Sequence, residues 1–380
     1  MNKKNIVLIF GGESTEHEVS IITAKQVYRK FNFEKYNVYP IYIDKKHEFK
    51  YIKDFSKFET FKDFVKLKKI PVKISLYKGK TSFYIGSIKK ITQIDAILPT
   101  FHGGEGENGQ IQGFFDLLKI PYTGPNIKGA LFGIDKIITK YILEENNIEI
   151  VPWMYILKDD WENNRDKCIE RIKKEIGYPA IVKPNSLGSS IGVKKVTNDS
   201  ELEDIIDTDI LFDEKIIIEK FKDDVIEITY SLMKNNNEIE LSLSEEIEKD
   251  LNIVYSYEDK YLQEGGKKSK TNEGMAGSKR KVPAKINKNL DASIRNTAKQ
   301  IYKLLDGQSL ARIDFLVDQK NNKFYPIEIN TIPGSLSFYL WEATGVQFSE
   351  IIDKLIDNAI KDFNSKDKFI KNIDSPLWNT

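Results

Sequence analysis

Arg312, Asp314, Glu328 and Asn330 occupy two short segments, Ala-Arg-Ile-Asp-Phe and Pro-Ile-Glu-Ile-Asn-Thr-Ile-Pro-Gly, whose spacing gathers oxygen ligands. Side chains alternate sides in an extended chain, so Arg312 and Asp314 share one face, as do Glu328 and Asn330 on a return strand. Between them runs Asp318-Gln-Lys-Asn321-Asn322-Lys, and Asn and Asp tolerate the positive φ of a tight turn. Two carboxylates and an amide oxygen are hard ligands that leave positions open for water and phosphate oxygens, the way magnesium is held beside a nucleotide. An ordinary surface hairpin with polar cross-strand pairs fits these residues equally well, so the decision rests on others.

Lys183-Pro-Asn-Ser-Leu-Gly188-Ser189-Ser190-Ile-Gly192 follows a predicted strand and can close backbone N–H groups over phosphates while the lysine neutralises them. It is not a P-loop, because no Gly-Lys-Ser/Thr ends it. A Gly/Ser loop alone is more often a turn; with Lys136 upstream, Lys260 downstream and the metal hairpin, the phosphate reading becomes the better one. Glu219-Lys220-Phe221 and Glu227 offer carboxylates for an adenine amino group and ribose hydroxyls, and solvated acids at a sheet edge are the plainer alternative. Gly11-Gly-Glu-Ser-Thr-Glu-His-Glu18-Val-Ser places acids at a helix start, where capping accounts for Glu13, Ser14 and Glu16. For Glu18 a second task is open, the binding of a substrate ammonium. His102, beside the glycine-rich stretch to Gly113, is placed to meet a substrate carboxylate, although a lone histidine there is usually structural.

The elements that must position these residues read as α/β. Strand 6–10, a helix from about Val19 to Phe31 and strand Tyr36–Ile43 form a βαβ unit. Residues 44–90 read as short strands without identifiable chemistry. Strand 96–99, helix 111–118, strands 180–183 and 216–220, β-rich sequence to Leu243, a helix from about Asn289 to Leu305 and a final amphipathic helix 349–363 complete the pattern. The 380 residues give room for two or three domains. Lys plus Arg (58) and Asp plus Glu (57) nearly cancel to a net charge of +1, so no global charge draws the chain to nucleic acid or a membrane. Cys168 alone cannot form an internal disulfide or a cysteine zinc site, which fits a reducing cytosol. The apolar run after Met-Asn-Lys-Lys reads as a buried strand rather than a signal peptide, and no stretch approaches the roughly 20 apolar residues of a membrane span.

Taken in order, the glycine motifs, Pro-Tyr-Thr-Gly, Asp135-Lys136, the Lys183 loop, Tyr-Glu-Asp-Lys260-Tyr261, Val-Pro-Ala and the Arg312 hairpin resemble the D-alanine-D-alanine ligase family of the ATP-grasp superfamily. The resemblance runs from Ile6 to about Ile360. It implies an α/β, three-domain ATP-grasp fold: residues 1–124 an N-terminal substrate domain, 125–220 a central subdomain, and 221–380 a C-terminal domain with the metal and acceptor sites. It implies ATP with two Mg2+ ions (Mn2+ as a substitute), small-molecule substrates, a cytoplasmic homodimer, and ligation through an acyl phosphate. By resemblance, Lys136, Lys183, Ser190, Glu219, Lys220, Glu227, Lys260 and Asn330 would bind ATP, and Asp314, Glu328 and Asn330 would bind metal. Glu18, Ser189 and Tyr261 would link the first substrate to the lid, with His102 near its carboxylate. Arg312 and the Gly334 N–H would stabilise the oxyanion, and Tyr339 and Leu340 would border the acceptor.

The pattern departs from the family after Gly334, where Ser-Leu-Ser-Phe-Tyr339 puts a tyrosine at the position of an acceptor-binding serine. It departs again in the longer, more basic lid 261–283 and at Asp223-Asp224. A ligase with another acceptor, such as D-serine or D-lactate, and a non-catalytic ATP-binding paralogue are therefore the alternatives. A nicotinamide dehydrogenase is weaker, because Gly11-Gly12 lacks the three-glycine spacing.

Overall fold

The computed structural model describes residues 2–87, 89–235, 238–247, 280–307, 309–366 and 368. Three sheets follow one another along the chain. In the first, β1 (Lys4–Gly11), α1 (His17–Lys30) and β2 (Tyr36–Ile43) form the predicted βαβ unit, with β1 and β2 parallel. The segment without assigned chemistry supplies β3 (Phe49–Ile52), α2 (Phe61–Lys66), β4 (Lys69–Tyr77), β5 (Lys80–Ile85) and β6 (Lys89–Ile91), whose strands extend the sheet antiparallel. Helix α2 starts at a capping box in which Thr60 and Asp63 satisfy each other's backbone N–H groups. Strand β7 (Ala96–Pro99) closes the order β6-β5-β4-β3-β2-β1-β7. Both faces of β1 are buried: Ile6, Leu8 and Phe10 enter one core, Val7 and Ile9 another, as expected for a parallel strand covered on both sides.

After α3 (Gln110–Leu118), α4 (Ile127–Ile134) and α5 (Lys136–Glu145) comes a four-stranded antiparallel sheet. Its strands β8 (Trp153–Leu157), β9 (Ala180–Pro184), β10 (Lys194–Val196) and β11 (Lys215–Lys220) lie in the order β10-β9-β11-β8. Helices α6 (Lys158–Glu175) and α7 (Asp199–Asp209) cover one face, packing Trp161, Ile172 and Ile206 on Val182, Ile216 and Ile218. Period two then turns Lys183, Ile217 and Glu219 to the other face.

The third sheet comprises β12 (Ile226–Asn235), β13 (Glu238–Leu241), β14 (Glu245–Ile247), β15 (Arg280–Lys281), β16 (Leu310–Asp318) and β17 (Lys323–Asn330). Its order is β15-β14-β12-β16-β17, with β13 also pairing β12. The helix Lys288–Leu304 packs Leu290, Ile294, Ala298 and Ile301 on Ile228, Tyr230, Leu232, Ile313 and Phe315. The opposite face carries Thr229, Ser231, Arg312 and Asp314, and this polar face builds the site.

The last helix, Phe348–Lys366, follows residues grouped from sequence with 221–380, yet its apolar stripe joins the first sheet. Ile351, Ile352, Leu355 and Ile356 share a core with Ile6, Leu8 and Phe10, each buried aliphatic contributing on the order of 1.5–3 kcal/mol. The chain's end thereby clamps its first sheet beside the third. Among the described residues, no helix is long and apolar enough to cross a membrane.

Candidate active site

The Arg312 hairpin forms as its spacing predicts. Strands β16 and β17 pair Arg312 with Asn330 and Asp314 with Glu328, and the register shifts only beyond Asp314. At the turn, the Asn321 N–H donates to Asp318 at 2.9 Å and Asn322 takes the left-handed φ of 56°. Arg312 forks onto its neighbour two residues on: Nε donates to Asp314 Oδ1 at 3.0 Å and Nη2 to Oδ2 at 2.8 Å, while the Thr229 hydroxyl donates to Oδ1 at 2.9 Å. The pair is buried, so its charges lack the screening of a surface pair.

Hard oxygen donors from Asp314, Glu328 and Asn330 thus converge across two strands. Asn330 Nδ2 is buried without a hydrogen-bond partner, and turning the amide over puts an oxygen at that point, as a cation ligand requires. Among the described residues no three His, Cys, Asp or Glu side chains are close enough to hold a metal by themselves. A cation here would therefore draw on the amide and on oxygens of a bound substrate.

Lysines face this sheet from the central segment. Asp135 caps α5 by accepting from the Ile138 N–H at 2.9 Å, which sets Lys136 at the first helical position. Its Nζ donates to the carbonyls of Asn185 at 3.2 Å and Leu187 at 2.6 Å, directly beneath the Lys183 loop. In that loop Ser189 and Ser190 both have positive φ, 52° and 59°, a conformation non-glycine residues hold only where surroundings enforce it. Lys183 Nζ lies 2.9 Å from Glu219 Oε1, and Lys140 Nζ lies 2.6 Å from the same oxygen. Burial alone would raise the Glu219 carboxyl, but Lys140 and Lys183 overcome it and hold the group at about 2. Glu219 is therefore a fixed anion between two ammonium groups, and the sheet-edge alternative of a solvated acid does not apply. Lys140 was invisible to motif reading, although its helical spacing of four from Lys136 puts both on one face.

Lys220 points away from this cage, its Nζ 3.4 Å from the Tyr178 carbonyl; strand alternation separates it from Glu219. Glu227 shares the Thr229 face of β12. Lys260 and Tyr261 lie outside the described residues.

The glycine motifs converge from the first sheet. Gly11 has φ 102°, and a Cβ there would come within 2.1 Å of the Ile43 carbonyl oxygen, so only glycine allows the chain to leave β1 beside β2. The following turn delivers Glu16, which is 5% exposed and accepts a hydrogen bond from the Ser189 hydroxyl. Its Oε2 lies 2.8 Å from where a Cβ would stand at Gly103 and equally at Gly188, so both glycine segments close around this carboxylate. Glu18, the acid expected there, lies on the outer face of α1 and pairs with Lys45 at 3.4 Å, both side chains substantially exposed. The structure thus places Glu16, not Glu18, beside Ser189 and the two glycine segments. Along α1 Glu18 is partly exposed and Ile22, Arg29 and Lys30 are exposed, a stripe that a helical projection reveals.

His102 is buried. Its Nε2 meets the Thr23 hydroxyl at 2.8 Å, and Thr23 Oγ1 also accepts from the Ser335 N–H at 3.4 Å. Burial, with the nearby Arg312 charge, pushes the imidazole down to about 4, so it is neutral at pH 7. Glu107 stands 3.8 Å from His102; burial first, then the Glu16 and Glu328 carboxylates, raise it well above the ordinary range. It is a second buried acid that sequence reasoning passed over among the glycines.

The segment after Pro333 departs from regular structure. Ser335, Leu336 and Ser337 take φ of 53°, 51° and 48° in succession, a left-handed turn beginning at Gly334. Phe338 stacks on Phe348 at 4.7 Å and Trp341 Nε1 donates to Ser231 at 2.9 Å, so both are core aromatics. Leu340 is fully buried, with its carbonyl accepting from the Thr344 hydroxyl at 2.7 Å. Tyr339 instead faces a polar group: its ring lies 4.2 Å from the Arg280 guanidinium and its hydroxyl 3.5 Å from Glu245 Oε2.

A βαβ-led sheet followed by two sheets that face lysines and a carboxylate hairpin toward each other defines an ATP-grasp protein. Models of the D-ala D-ala ligase N-terminus and C-terminus match residues 5–125 and 142–357. The chain belongs to the D-alanine–D-alanine ligase family. It is 41% identical to a D-alanine–D-alanine ligase of Thermosipho africanus, over 99% of this chain and 98% of that protein. A Borrelia garinii relative of the same name is 35% identical over 97% of this chain and 99% of its own. Among solved structures, the Coxiella burnetii D-alanine-D-alanine ligase superposes with a TM-score of 0.78 at 25% identity, covering 97% of each chain. The VanG D-Ala:D-Ser ligase of Enterococcus faecalis gives 0.76 at 26% identity, covering 94% of this chain and all (100%) of that one.

Proposed function

We propose that this protein uses ATP to join two D-alanine molecules into D-alanyl-D-alanine, the dipeptide of peptidoglycan precursors. The donor carboxylate attacks the γ-phosphate, giving an acyl phosphate and ADP. The acceptor amine then attacks the acyl carbon; the C–N bond forms, the amine loses a proton, and inorganic phosphate leaves. Both steps build negative charge on oxygens, so fixed cations and donors are the main requirement. The convergence of the Arg312–Asp314 fork, Lys136 and buried His102 on one centre, in a chain 41% identical to a ligase of this name, carries the reading.

In this scheme Glu16 receives the donor's ammonium and Ser189 ties it to the phosphate loop. Neutral His102 lies by the donor carboxylate, and Arg312 with the Gly334 N–H meets the oxyanion. Lys136, Lys183, Ser190 and Lys260 contact phosphates, while Glu219 and Glu227 hold adenosine. Two magnesium ions, or manganese in their place, would be held by Asp314, Glu328 and Asn330 and would neutralise phosphate oxygens. Substrate, central and C-terminal domains meeting near residues 124 and 220, a homodimer and a cytoplasmic site of action complete the proposal, and light scattering tests the dimer.

Purified protein incubated with ATP, magnesium and D-alanine should release dipeptide and phosphate in equal amounts. Phosphate release only with another acceptor would favour a second reading, a mixed ligase, which Tyr339 at the serine position and the likeness to a D-Ala:D-Ser ligase keep in view. ATP binding without turnover on any amino acid would sink both.

A further inference from the structure

The turn that ends α7 reaches both ends of the Lys183 loop. Asp213 Oδ2 accepts from the Ser186 N–H at 2.7 Å and its Oδ1 from the Lys215 N–H at 3.1 Å, which fixes the start of the loop. Asp209 meets the other end. A Cβ at Gly192, where φ is 74°, would stand 2.6 Å from Asp209 Oδ1 and 2.7 Å from the Pro184 ring, so the returning chain is wedged between this carboxyl and β9. Asp213 is paired at both oxygens, whereas Asp209 is paired at neither: it is 1% exposed, and among the described residues no hydrogen bond reaches Oδ1 or Oδ2.

A buried carboxyl without a partner is costly to keep. Stability alone would favour an apolar residue here, since Leu202, Ile205 and Ile206 of the same helix all enter an apolar core. The charged form is the costlier one. Burial pushes the group up to about 7, with Lys194 drawing it down and Asp213 adding to the rise. The last turn of α7 acts in the same direction, because the negative end of the helix dipole disfavours an anion. Lys194 is exposed and shares with Val196 the helix-covered side of β10. Lys158 of α6, the other cation near this turn, is taken up by the Ile210 carbonyl at 3.3 Å. Asp209 therefore changes charge near neutral pH directly behind the loop, and the charge of Asp213 beside it reaches Lys136 beneath that loop. We propose that Asp209 is a positioning residue for ATP: the neutral acid seats the loop without opposing the nucleotide phosphates, and the carboxylate repels them. The inference rests on the ligase reading, in which this loop binds ATP. Binding then draws a proton onto Asp209, and by linkage ATP affinity is full below neutral pH and falls as pH rises through it.

The test is binding of the ATP analogue AMP-PNP with magnesium to the full-length protein, followed by calorimetry in two buffers of different ionisation enthalpy. At pH 7.5 wild type should take up roughly 0.3–0.5 proton per nucleotide more than Asp209→Asn, which keeps the shape of the neutral acid. Between pH 6 and 8.5 wild-type affinity should fall about 3- to 10-fold further than that of the variant, the scale of like charges roughly 10 Å apart at an effective dielectric of about 20. Equal proton uptake, or affinities that differ by the same factor at every pH as a merely structural role would give, overturns the role of Asp209. If Asp209→Asn does not fold, Lys194→Met decides. It alters an exposed residue and removes the charge that draws the carboxyl down, so the step in affinity should move to higher pH; a step that stays in place overturns the inference. Wild-type protein that binds no nucleotide at any pH would instead mark failure of the ligase reading itself.

Discussion

The strand-borne and loop-borne halves of this site border one centre but hold their residues by different physics. On β16 and β17 the ladder pairs Arg312 with Asn330 and Asp314 with Glu328. Ile313 and Phe315 between them are fully buried. A one-residue slip would turn those apolar side chains to the polar face, so register and chemistry are fixed together. The loop half has no such rule. Glu16 depends on glycines that let backbones close around it, and the turn Gly334–Ser337 contains three successive left-handed residues, each costing on the order of 1–3 kcal/mol. Burial of Leu336 and Trp341 in the first core offsets that cost. Arg312, Asp314, Glu328 and Asn330 thus sit on a rigid ladder, whereas Glu16 and the residues after Pro333 sit on loops that can change without disturbing it.

The largest effect is expected on the ladder. Arg312→Lys keeps the charge and loses the two-pronged contact with Asp314, so kcat should fall roughly 10²- to 10³-fold, in the range of losing an oxyanion donor. ADP release under saturating substrates measures it; a drop of less than about threefold would remove Arg312 from the transition state. Glu16→Gln probes the loop half. It retains an acceptor for Ser189 but loses the charge for a substrate ammonium, so kcat/KM for D-alanine should fall about 10- to 100-fold with ATP affinity little changed. Equal losses in ATP affinity would make Glu16 a hinge between loops rather than a substrate ligand.

The same division explains what the sequence disclosed. Period two placed Arg312 and Asp314, and Glu328 and Asn330, on shared faces of the hairpin. Strand Tyr36–Ile43 was legible from its apolar run. The choice between Glu16 and Glu18 turned on where α1 begins and which way its first turn faces, and helix ends are where patterns are least informative. Lys140 carries no motif and Glu107 hides among the glycines after His102, and only tertiary packing brings Lys140 to Glu219 or Glu107 to His102. Arg280 and Glu245 are separated by 34 intervening residues, and only the pairing of β14 with β15 makes them neighbours. Apolar periodicity predicted the last helix, but nothing in it specified the first sheet as its partner.

His102 offers a smaller, reversible test of the loop half. Burial and the Arg312 charge hold its pKa at about 4 in the folded chain, against about 6.5 when unfolded. The unfolded state therefore takes up the proton first as pH falls. The stability from this group is fully present above about 6.5, declines between 6.5 and 4, and is gone below the folded value. The whole excursion is about 3 kcal/mol. Urea unfolding of ligand-free protein from pH 7 to 4 should show a slope that His102→Gln lacks; parallel curves would mean that the imidazole is accessible to protons in the folded state.

Glu18→Gln should do least of all, and it sharpens the contrast most. Its neighbour two residues earlier is enclosed by Gly103 and Gly188, whereas Glu18 meets Lys45 at 3.4 Å across a solvated surface. An exposed pair of this kind contributes about 0–1 kcal/mol, and substitutions outside a packed network rarely change function. Catalytic efficiency should stay within about twofold of wild type, and thermal stability should hardly move. If Glu18→Gln cost more than about tenfold while Glu16→Gln were mild, the ammonium ligand would be on the outer face of α1. The turn after β1 would then have to rotate by half a helical turn on binding substrate, and the closure of both glycine segments around Glu16 would belong to the resting enzyme alone.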